Sequence, residues 1–200
     1  DGGDFVVDSQ RAYVTPRVTR RNLQHTVETR EELVAALEAE LGRPVLLLET
    51  APDHHAGMFM MPIGDNRVMV GDPSLALRAV PQTFVATGPL PINEGFTEDY
   101  SAETQALFDA VADQLAAAGV EVIRMPTVPG QDGRAYLAYL NVILDERDGE
   151  PTVYMPTYAG GMEYLDELAT KTWQDAGYAV VPIDCSTAFR QGGSLRCLVN

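Results

Sequence analysis

The sequence predicts an α/β fold built from a repeated unit of strand, strand, helix and strand, and two observations predict it. Three amphipathic helical patterns each run into a glycine and then into a short apolar strand, and these glycines are Gly42, Gly119 and Gly177. A pair of strand-like runs joined by a turn precedes each helical pattern. Because one such unit cannot bury its own apolar face, we expect the three units to stack or to close into a ring.

The helices are predicted from their ends and their apolar faces. The first begins near Thr29, because Glu32 follows this capping hydroxyl by three residues and completes a capping box. Each helix ends before its glycine, where a left-handed backbone is easiest without a Cβ. The apolar stripes, which we interpret as core, are Leu33, Leu37 and Leu41 in the first helix, Thr104, Phe108, Val111 and Leu115 in the second, and Leu165, Leu168 and Thr172 in the third.

The strand pairs follow from turn residues between apolar runs. They are "DFVVDSQRAYVTP", "GMFMMPIGDNRVMVGDP" with a turn at Gly64 to Asn66, and "AYLAYLNVILDERDGEPTVYMPTY" with a turn at Asp148 and Gly149. The three modules so defined occupy about residues 1–50, 51–130 and 131–185. The insertion "PSLALRAVPQTFVATGPLPINEGF" in the second module is either a functional lid or a passive loop. "SLRCLVN" is predicted to form a closing strand over residues 194–200.

The charge of the chain limits its partners. The 200 residues include 29 acidic and 14 basic ones, for a formal net charge of −15. Nucleic acid and anionic membrane surfaces require clustered positive charge, so we expect neither to bind. No apolar run approaches the roughly 18 to 20 residues that cross a bilayer. A small cationic substrate suits this negative field, and so does plain solubility.

The chain has two cysteines, Cys185 and Cys197. Two are too few for a disulfide framework, which fits a cytoplasmic protein. They either pair with each other or are free, and a free cysteine outside a site behaves as a small buried apolar side chain.

Three motifs carry a resemblance to a known family. They are "DGGD" at residues 1–4, "DHHAGM" at residues 53–58 and "GGSLRC" at residues 192–197. They resemble the acidic-Gly-Gly-Asp, Asp-x-His-x-Asp and Gly-Gly-Ser-Leu-His-Cys motifs of the guanidine-modifying enzymes, the pentein superfamily. That family includes the arginine, agmatine and dimethylarginine hydrolases and the amidinotransferases. Its fold is an α/β propeller, a ring of five strand–strand–helix–strand modules.

The resemblance covers essentially the whole chain but about three of the five modules. It therefore implies a single partial α/β-propeller domain without counterparts of the N-terminal modules. By the same resemblance, either an N-terminal segment or a second chain would complete the ring.

The resemblance implies a site made of cysteine, histidine and an acid, with neither metal nor cofactor. Cys197 would attack the guanidinium carbon, His55 would carry the proton to the leaving nitrogen and later take one from water, and Asp1 would hold the imidazole. The residues implied in binding the small cationic guanidino substrate are Asp4, Gly57, Gly192 and Gly193.

Some positions depart from the family pattern or compete for a role. Gly57 stands where many members have an aspartate that grips the guanidinium, and Arg196 replaces the histidine before the nucleophile. On an alternating strand Arg196 would face away from the site. His54 competes with His55. On the strand expected here adjacent residues face opposite sides, so only one of the two can point at the site, and the family's spacing from Asp53 selects His55.

Two classes of function follow. One is a hydrolase that releases ammonia or an amine through a cysteine thiouronium intermediate, and an amidinotransferase is its near variant, in which an acceptor amine replaces water. The other is a non-catalytic binding or assembly module of the same fold, favoured by Gly57 and by the missing modules. A selectively reactive Cys197 and loss of activity in His55→Ala would indicate the enzyme.

Overall fold

The computed structural model describes residues 2–80, 96–133, 135–158 and 161–199. Asp1 and most of the predicted insertion therefore lie outside the described residues. The chain is a mixed α/β protein, as the sequence predicts, and it divides into two compact units. The first consists of Asp1–Val70 and Ala106–Ile123, and the second of Gly71–Gln105 and Arg124–Asn200.

Strands and helices are interspersed along the chain. The strands are β1 (Phe5–Val7), β2 (Ala12–Val14), β3 (Val45–Leu47), β4 (Met60–Gly64), β5 (Arg67–Asp72), β6 (Glu121–Pro129), β7 (Tyr136–Ala138), β8 (Ile143–Arg147), β9 (Glu150–Thr157) and β10 (Ala179–Asp184). The α-helices are α1 (Pro16–Asn22), α2 (Arg30–Leu41), α3 (Pro73–Ala79), α4 (Ala102–Ala117), α5 (Glu163–Asp175) and α6 (Ser186–Arg190). Two 3₁₀ helices span Ala56–Met58 and Leu195–Leu198.

The first unit opens with a three-stranded sheet in the order β1-β2-β3. β1 is antiparallel to β2, and β2 is parallel to β3, so α2 makes the crossover between them. The core of this sheet consists of Ala12, Val14, Leu33 and Leu47. The predicted order of strand, strand, helix and strand is thus observed here, with the additional short helix α1.

The predicted helix ends are confirmed. Thr29 accepts the N–H of Glu32, and the Glu32 side chain accepts the N–H of Thr29, which completes the capping box of α2. Gly42, Gly119 and Gly177 have left-handed backbones with φ of 65°, 76° and 97°. These three glycines end the helices because a residue with a Cβ is strained in that conformation.

The hairpin turns are also confirmed. β4 and β5 pair antiparallel in the first unit, and their turn residues Asp65 and Asn66 have positive φ. In the second unit β8 and β9 pair antiparallel around Asp148 and Gly149, which also have positive φ. β10 adds to β9 in parallel, so this sheet has the order β10-β9-β8.

Helix α5 connects β9 to β10 and contributes buried side chains to the core of the second unit. Its buried residues are Leu165, Ala169 and Trp173, spaced by four. The predicted stripe was therefore right at Leu165, whereas Leu168 and Thr172 are only half-buried. Trp173 is fully buried and donates its Nε1–H to the carbonyl of Tyr139 at 3.1 Å, which pairs the indole's polar atom.

Two sequence predictions near the motifs are wrong. The closing strand expected over 194–200 is not formed in the described residues: the backbone N–H of Cys197 donates to the Ser194 carbonyl at 3.0 Å, which is a 3₁₀ pattern. His55 does not lie on a strand either, because it directly precedes the 3₁₀ helix Ala56–Met58. Because no strand forms here, strand alternation does not decide which way Arg196 faces; its side chain is exposed.

Two further observations bear on the earlier expectations. Cys185 and Cys197 are both free, so they form no disulfide with each other. Within the described ranges, no helix has both the length and the apolar character that crossing a membrane requires.

Candidate active site

The first unit brings the "GGD" and "DHH" segments together. The backbone N–H of Ala56 donates to the carbonyl of Gly3 at 2.7 Å. The His55 imidazole consequently rests against Gly3 so closely that a Cβ there would lie 2.4 Å from two ring carbons. Only a glycine at position 3 therefore leaves room for the His55 imidazole in this position. Asp1, the predicted acid, precedes this contact by two residues and lies outside the described residues.

The two adjacent histidines have different environments. The backbone N–H of His55 donates to Nδ1 of His54 at 2.7 Å, so this nitrogen of His54 is an unprotonated acceptor. The two rings meet edge to face with centroids 5.8 Å apart. The His55 side chain is exposed while His54 is half-buried, which makes His55 the more accessible of the two.

Asp4, a predicted substrate contact, has charged partners of its own. Its side chain is 1% exposed, and Arg21 donates from Nη1 to its Oδ2 at 2.5 Å. Nε of Arg17 lies 3.6 Å from its Oδ1. Two guanidinium groups of the chain therefore already balance this buried carboxylate.

Helix α1, which the sequence analysis missed, joins the two segments. Arg20 donates from Nη2 to Oδ1 of Asp53 at 2.7 Å, and Nε of Arg17 is 3.5 Å from the same oxygen. Because Arg17 contacts both Asp4 and Asp53, it links the start of β1 to the segment that carries the histidines. Pro16, which follows Thr15 and occupies the first helical position, could have predicted the start of α1.

Cys197 lies in the second unit, in the 3₁₀ helix that follows α6. Its side chain is exposed and its thiol is free. The preceding Ser194 is fully buried and extended, and Leu195 is buried beside it. Ser194 and Leu195, which we call the stem, are therefore anchored in the protein, and Cys197 follows them at the surface.

A buried hydroxyl pair anchors that stem. Tyr158 donates its hydroxyl proton to the carbonyl of Ala138 at 3.2 Å, because a carbonyl can only accept. The Ser194 hydroxyl, 3.2 Å from the same Tyr158 oxygen, must then be the donor of their hydrogen bond. Burial raises the pKa of Tyr158 well above its usual value, so the phenol stays protonated and keeps both contacts.

A second anchor is Asn141, between β7 and β8, which the sequence analysis did not single out. Its Oδ1 accepts the backbone N–H of Arg196 at 2.8 Å. The thiol of Cys197 lies 3.9 Å from the same oxygen. The only sequence signal was one amide in the apolar run "AYLAYLNVIL".

The glycines of the motifs have separate roles. Gly192 has a left-handed backbone, with φ of 77°, where the chain leaves α6, so a Cβ there would be strained. A Cβ at Gly193 would lie 3.8 Å from the Cβ of Cys197, which is an ordinary contact. Gly57 is buried within the 3₁₀ helix after His55. Their predicted part in substrate binding stays a prediction.

Cys185 provides a contrast with Cys197. It is buried, and burial together with the nearby Asp184 charge raises the pKa of its thiol to about 11. It therefore fits the buried, inert thiol that the sequence analysis considered. Among the residues that the structure describes, no group of three His, Cys, Asp or Glu side chains could hold a metal ion.

The fold has clear relatives among solved structures. An agmatine deiminase of C. jejuni superimposes with a TM-score of 0.69 and 16% identity, covering 98% of this chain and 53% of the enzyme. A putative arginine deiminase from Porphyromonas gingivalis gives a TM-score of 0.66 with 20% identity, over 99% and 55% of the two chains. An agmatine deiminase of Enterococcus faecalis gives 0.60 with 16% identity, over 98% and 55%. No protein-family model and no curated protein matches the sequence.

These neighbours show that the chain has a mixed α/β fold like that of these deiminases, in agreement with the resemblance of the motifs. The chain spans about half the length of each of them. The division into three of five modules stays a prediction. His55 and Asp4 lie in the first unit, and Cys197 lies in the second. That these residues act together is therefore a proposal.

Proposed function

We propose that the protein is a hydrolase that acts on the guanidinium carbon of an arginine-like substrate, with Cys197 as nucleophile and His55 as proton carrier. The observation that carries the proposal is the exposed, free thiol of Cys197, held by a buried stem in a chain with the fold of deiminases. Asp1 is the proposed acid that orients His55. The accessible imidazole, seated on Gly3, supports the role of His55.

In the first half of the proposed reaction the Cys197 thiolate attacks the guanidinium carbon and forms a C–S bond. The tetrahedral adduct then loses ammonia or an amine as its C–N bond breaks, and His55 gives the leaving nitrogen its proton. A thiouronium remains on Cys197. The positive charge of the substrate favours the thiolate while it is bound.

In the second half water attacks the thiouronium carbon and gives a proton to His55. The C–S bond then breaks, the remaining proton of the added hydroxyl passes to solvent as the ureido product forms and leaves, and the thiolate and the protonated imidazole are restored. If an acceptor amine takes the place of water, the same residues transfer the amidino group. The proposed reaction needs no metal or cofactor.

A small cationic guanidino compound is the proposed substrate. The net charge of −15 favours a cation over an anion. Because the chain spans about half the length of the deiminases, we further propose that another segment or a second chain completes the ring around the substrate. Light scattering of the natural protein, which gives its mass, tests this last point.

A second candidate is a non-catalytic binding module, and two observations favour it. Gly57 provides no carboxylate for a guanidinium, and the Asp4 carboxylate is already balanced by Arg17 and Arg21. A module of this kind would keep the fold and bind its partner without turnover.

The deciding experiment is an assay of the natural protein on agmatine and a panel of arginine derivatives. Formation of a ureido product with equimolar ammonia or amine is expected, and its loss in Cys197→Ser and in His55→Ala. Cys185→Ser is the matched control and should keep the activity. A guanidinylated acceptor in place of the ureido product would indicate the transferase, and turnover that survives His55→Ala would contradict the mechanism.

Selective alkylation gives an independent readout. A haloacetamidine, which combines a guanidinium-like cation with a reactive carbon, should label Cys197 and leave Cys185 unlabelled in the folded protein. Equal labelling of both cysteines, together with no product from the panel, would favour the binding module.

A further inference from the structure

Tyr158 and Ser194 form a buried hydroxyl pair beside the turn that carries Cys197. Both residues are fully buried, so neither side chain can touch a substrate. Their hydroxyl oxygens lie 3.2 Å apart, and the Tyr158 hydroxyl also lies 3.2 Å from the carbonyl of Ala138. Because Tyr158 directly follows β9 and Ala138 ends β7, the pair connects Ser194 to the ends of two strands.

The direction of these hydrogen bonds follows from the carbonyl. It can only accept, so the Tyr158 hydroxyl donates to Ala138, and its oxygen accepts the proton of Ser194. Ser194 stands directly before the 3₁₀ turn Leu195–Leu198, where a serine usually accepts one of the first N–H groups. It makes no such capping hydrogen bond in this protein. The Ser194 hydroxyl is thus directed at Tyr158 and not at the turn.

The backbone of the turn is held at two points. The first is the hydrogen bond of Ser194 to Tyr158. The second is the N–H of Arg196, which donates to Oδ1 of Asn141 at 2.8 Å. The N–H of Cys197 in turn donates to the Ser194 carbonyl at 3.0 Å. A displacement of Ser194 would therefore displace the backbone of the cysteine with it.

We propose that Tyr158 is a positioning residue for Cys197 and that it acts through Ser194. Its hydroxyl fixes the start of the turn, and the turn fixes the place of the sulfur. Without that hydroxyl, Ser194 keeps a buried O–H that has lost its acceptor, and it must rotate toward another group to regain one. The expected effect on turnover rests on the proposed hydrolase, whereas the expected effect on the turn does not.

The test compares Tyr158→Phe with the matched control Tyr139→Phe. Both tyrosines are fully buried, their rings meet edge to face with centroids 5.5 Å apart, and each variant removes one hydroxyl. The Tyr139 hydroxyl donates to Asp166, however, and not to the stem. A merely structural role predicts similar losses in both variants, whereas a positioning role predicts a loss of turnover in Tyr158→Phe alone.

Turnover is the first readout. Where the parent protein turns over a guanidine, kcat of Tyr158→Phe should fall by about tenfold to a hundredfold, because the nucleophile is displaced. KM should change little, since the buried phenol does not touch the substrate. Tyr139→Phe should keep the kcat of the parent. An equal fall of kcat in both variants, or an unchanged kcat in Tyr158→Phe, would overturn the proposal.

A double variant tests whether the effect passes through Ser194. Ser194→Ala removes the hydroxyl that Tyr158 holds and should itself lower kcat. If Tyr158 acts through this hydroxyl, adding Tyr158→Phe to Ser194→Ala should lower kcat no further. Losses that multiply in the double variant would contradict that route. If Tyr158→Phe does not fold, Ser194→Ala decides alone, and a kcat equal to that of the parent overturns the proposal.

Hydrogen exchange, followed by NMR, separates this proposal from the function itself. The N–H of Arg196, which is bonded to the buried Asn141, should exchange about fivefold to tenfold faster in Tyr158→Phe than in Tyr139→Phe, because the turn is less firmly held. If the parent shows no turnover while these exchange rates differ, the proposed function fails and the role of Tyr158 at the turn stands. Equal exchange rates in the two variants would overturn that role.

Discussion

The imidazole of His55 lies against the backbone of Gly3, so that a Cβ at position 3 would come within 2.4 Å of its ring. Real Cβ atoms do not approach other heavy atoms so closely, so even a methyl group would displace either the ring or the segment. The neighbouring Gly2 has no such contact, since a Cβ there would meet nothing within 4 Å. Two adjacent glycines thus differ in whether a side chain fits.

Gly3→Ala should displace His55, whereas Gly2→Ala should not. If His55 carries the proton, kcat/KM of Gly3→Ala should fall by about a hundredfold, as expected for a misplacement of about 1 Å. The imidazole resonances of His55 should shift in Gly3→Ala only, and this NMR readout does not depend on turnover. Identical spectra for the two variants would contradict the contact.

Arg21 and Arg20 should differ in their contribution to stability. Arg21 is paired with Asp4, which is 1% exposed, so Arg21→Ala leaves a buried carboxylate with less compensation and should cost about 2 kcal/mol. Arg20 and Asp53 are 59% and 74% exposed, and Arg20→Ala should cost less than about 1 kcal/mol. Urea unfolding measures the free energy of unfolding of the two variants. An equal decrease in both would contradict a larger stabilisation by the buried Arg21–Asp4 pair.

Asp166 should make the free energy of unfolding depend on pH between about pH 4 and about pH 6. It accepts the Tyr139 hydroxyl at 2.8 Å and the N–H of Tyr158 at 3.2 Å, and burial raises its pKa to about 6. A raised pKa favours the protonated form in the folded state. The contribution of Asp166 is therefore complete below its unfolded pKa of roughly 4 and is lost as the pH rises through about 6.

The substitution Asp166→Asn tests this, because an amide does not ionise. Between about pH 4 and about pH 7 the free energy of unfolding of the parent should fall relative to the variant by about 1 kcal/mol, a value reduced for partial exposure. Urea unfolding of both proteins at the two pH values measures it. A difference that stays constant with pH would show that Asp166 does not titrate as expected.

Features fixed by neighbours in sequence were predictable. The capping box of Thr29 and Glu32 and the left-handed Gly42 depend on a few adjacent residues, and so does the turn at Asp148 and Gly149. Local rules therefore placed the helix ends and hairpins correctly.

Features fixed by distant residues were not predictable in the same way. "SLRCLVN" is apolar enough for a strand, but hydrogen bonds from Ser194 to Tyr158 and from Arg196 to Asn141 hold its backbone in a 3₁₀ turn. Both partners come from other parts of the chain. The motif therefore predicts Cys197 as a candidate residue, whereas the contacts that hold its backbone are visible only in the tertiary structure.

The burial of Trp173 makes the second unit separately observable in solution. It is the one tryptophan of the sequence, and its indole is fully enclosed with its N–H bonded to Tyr139. Its blue-shifted fluorescence should report melting of that unit alone, while circular dichroism averages over helices and strands of both. Superimposable curves from the two optical signals would mean that the protein melts as one cooperative body, and separated curves that its halves melt in sequence.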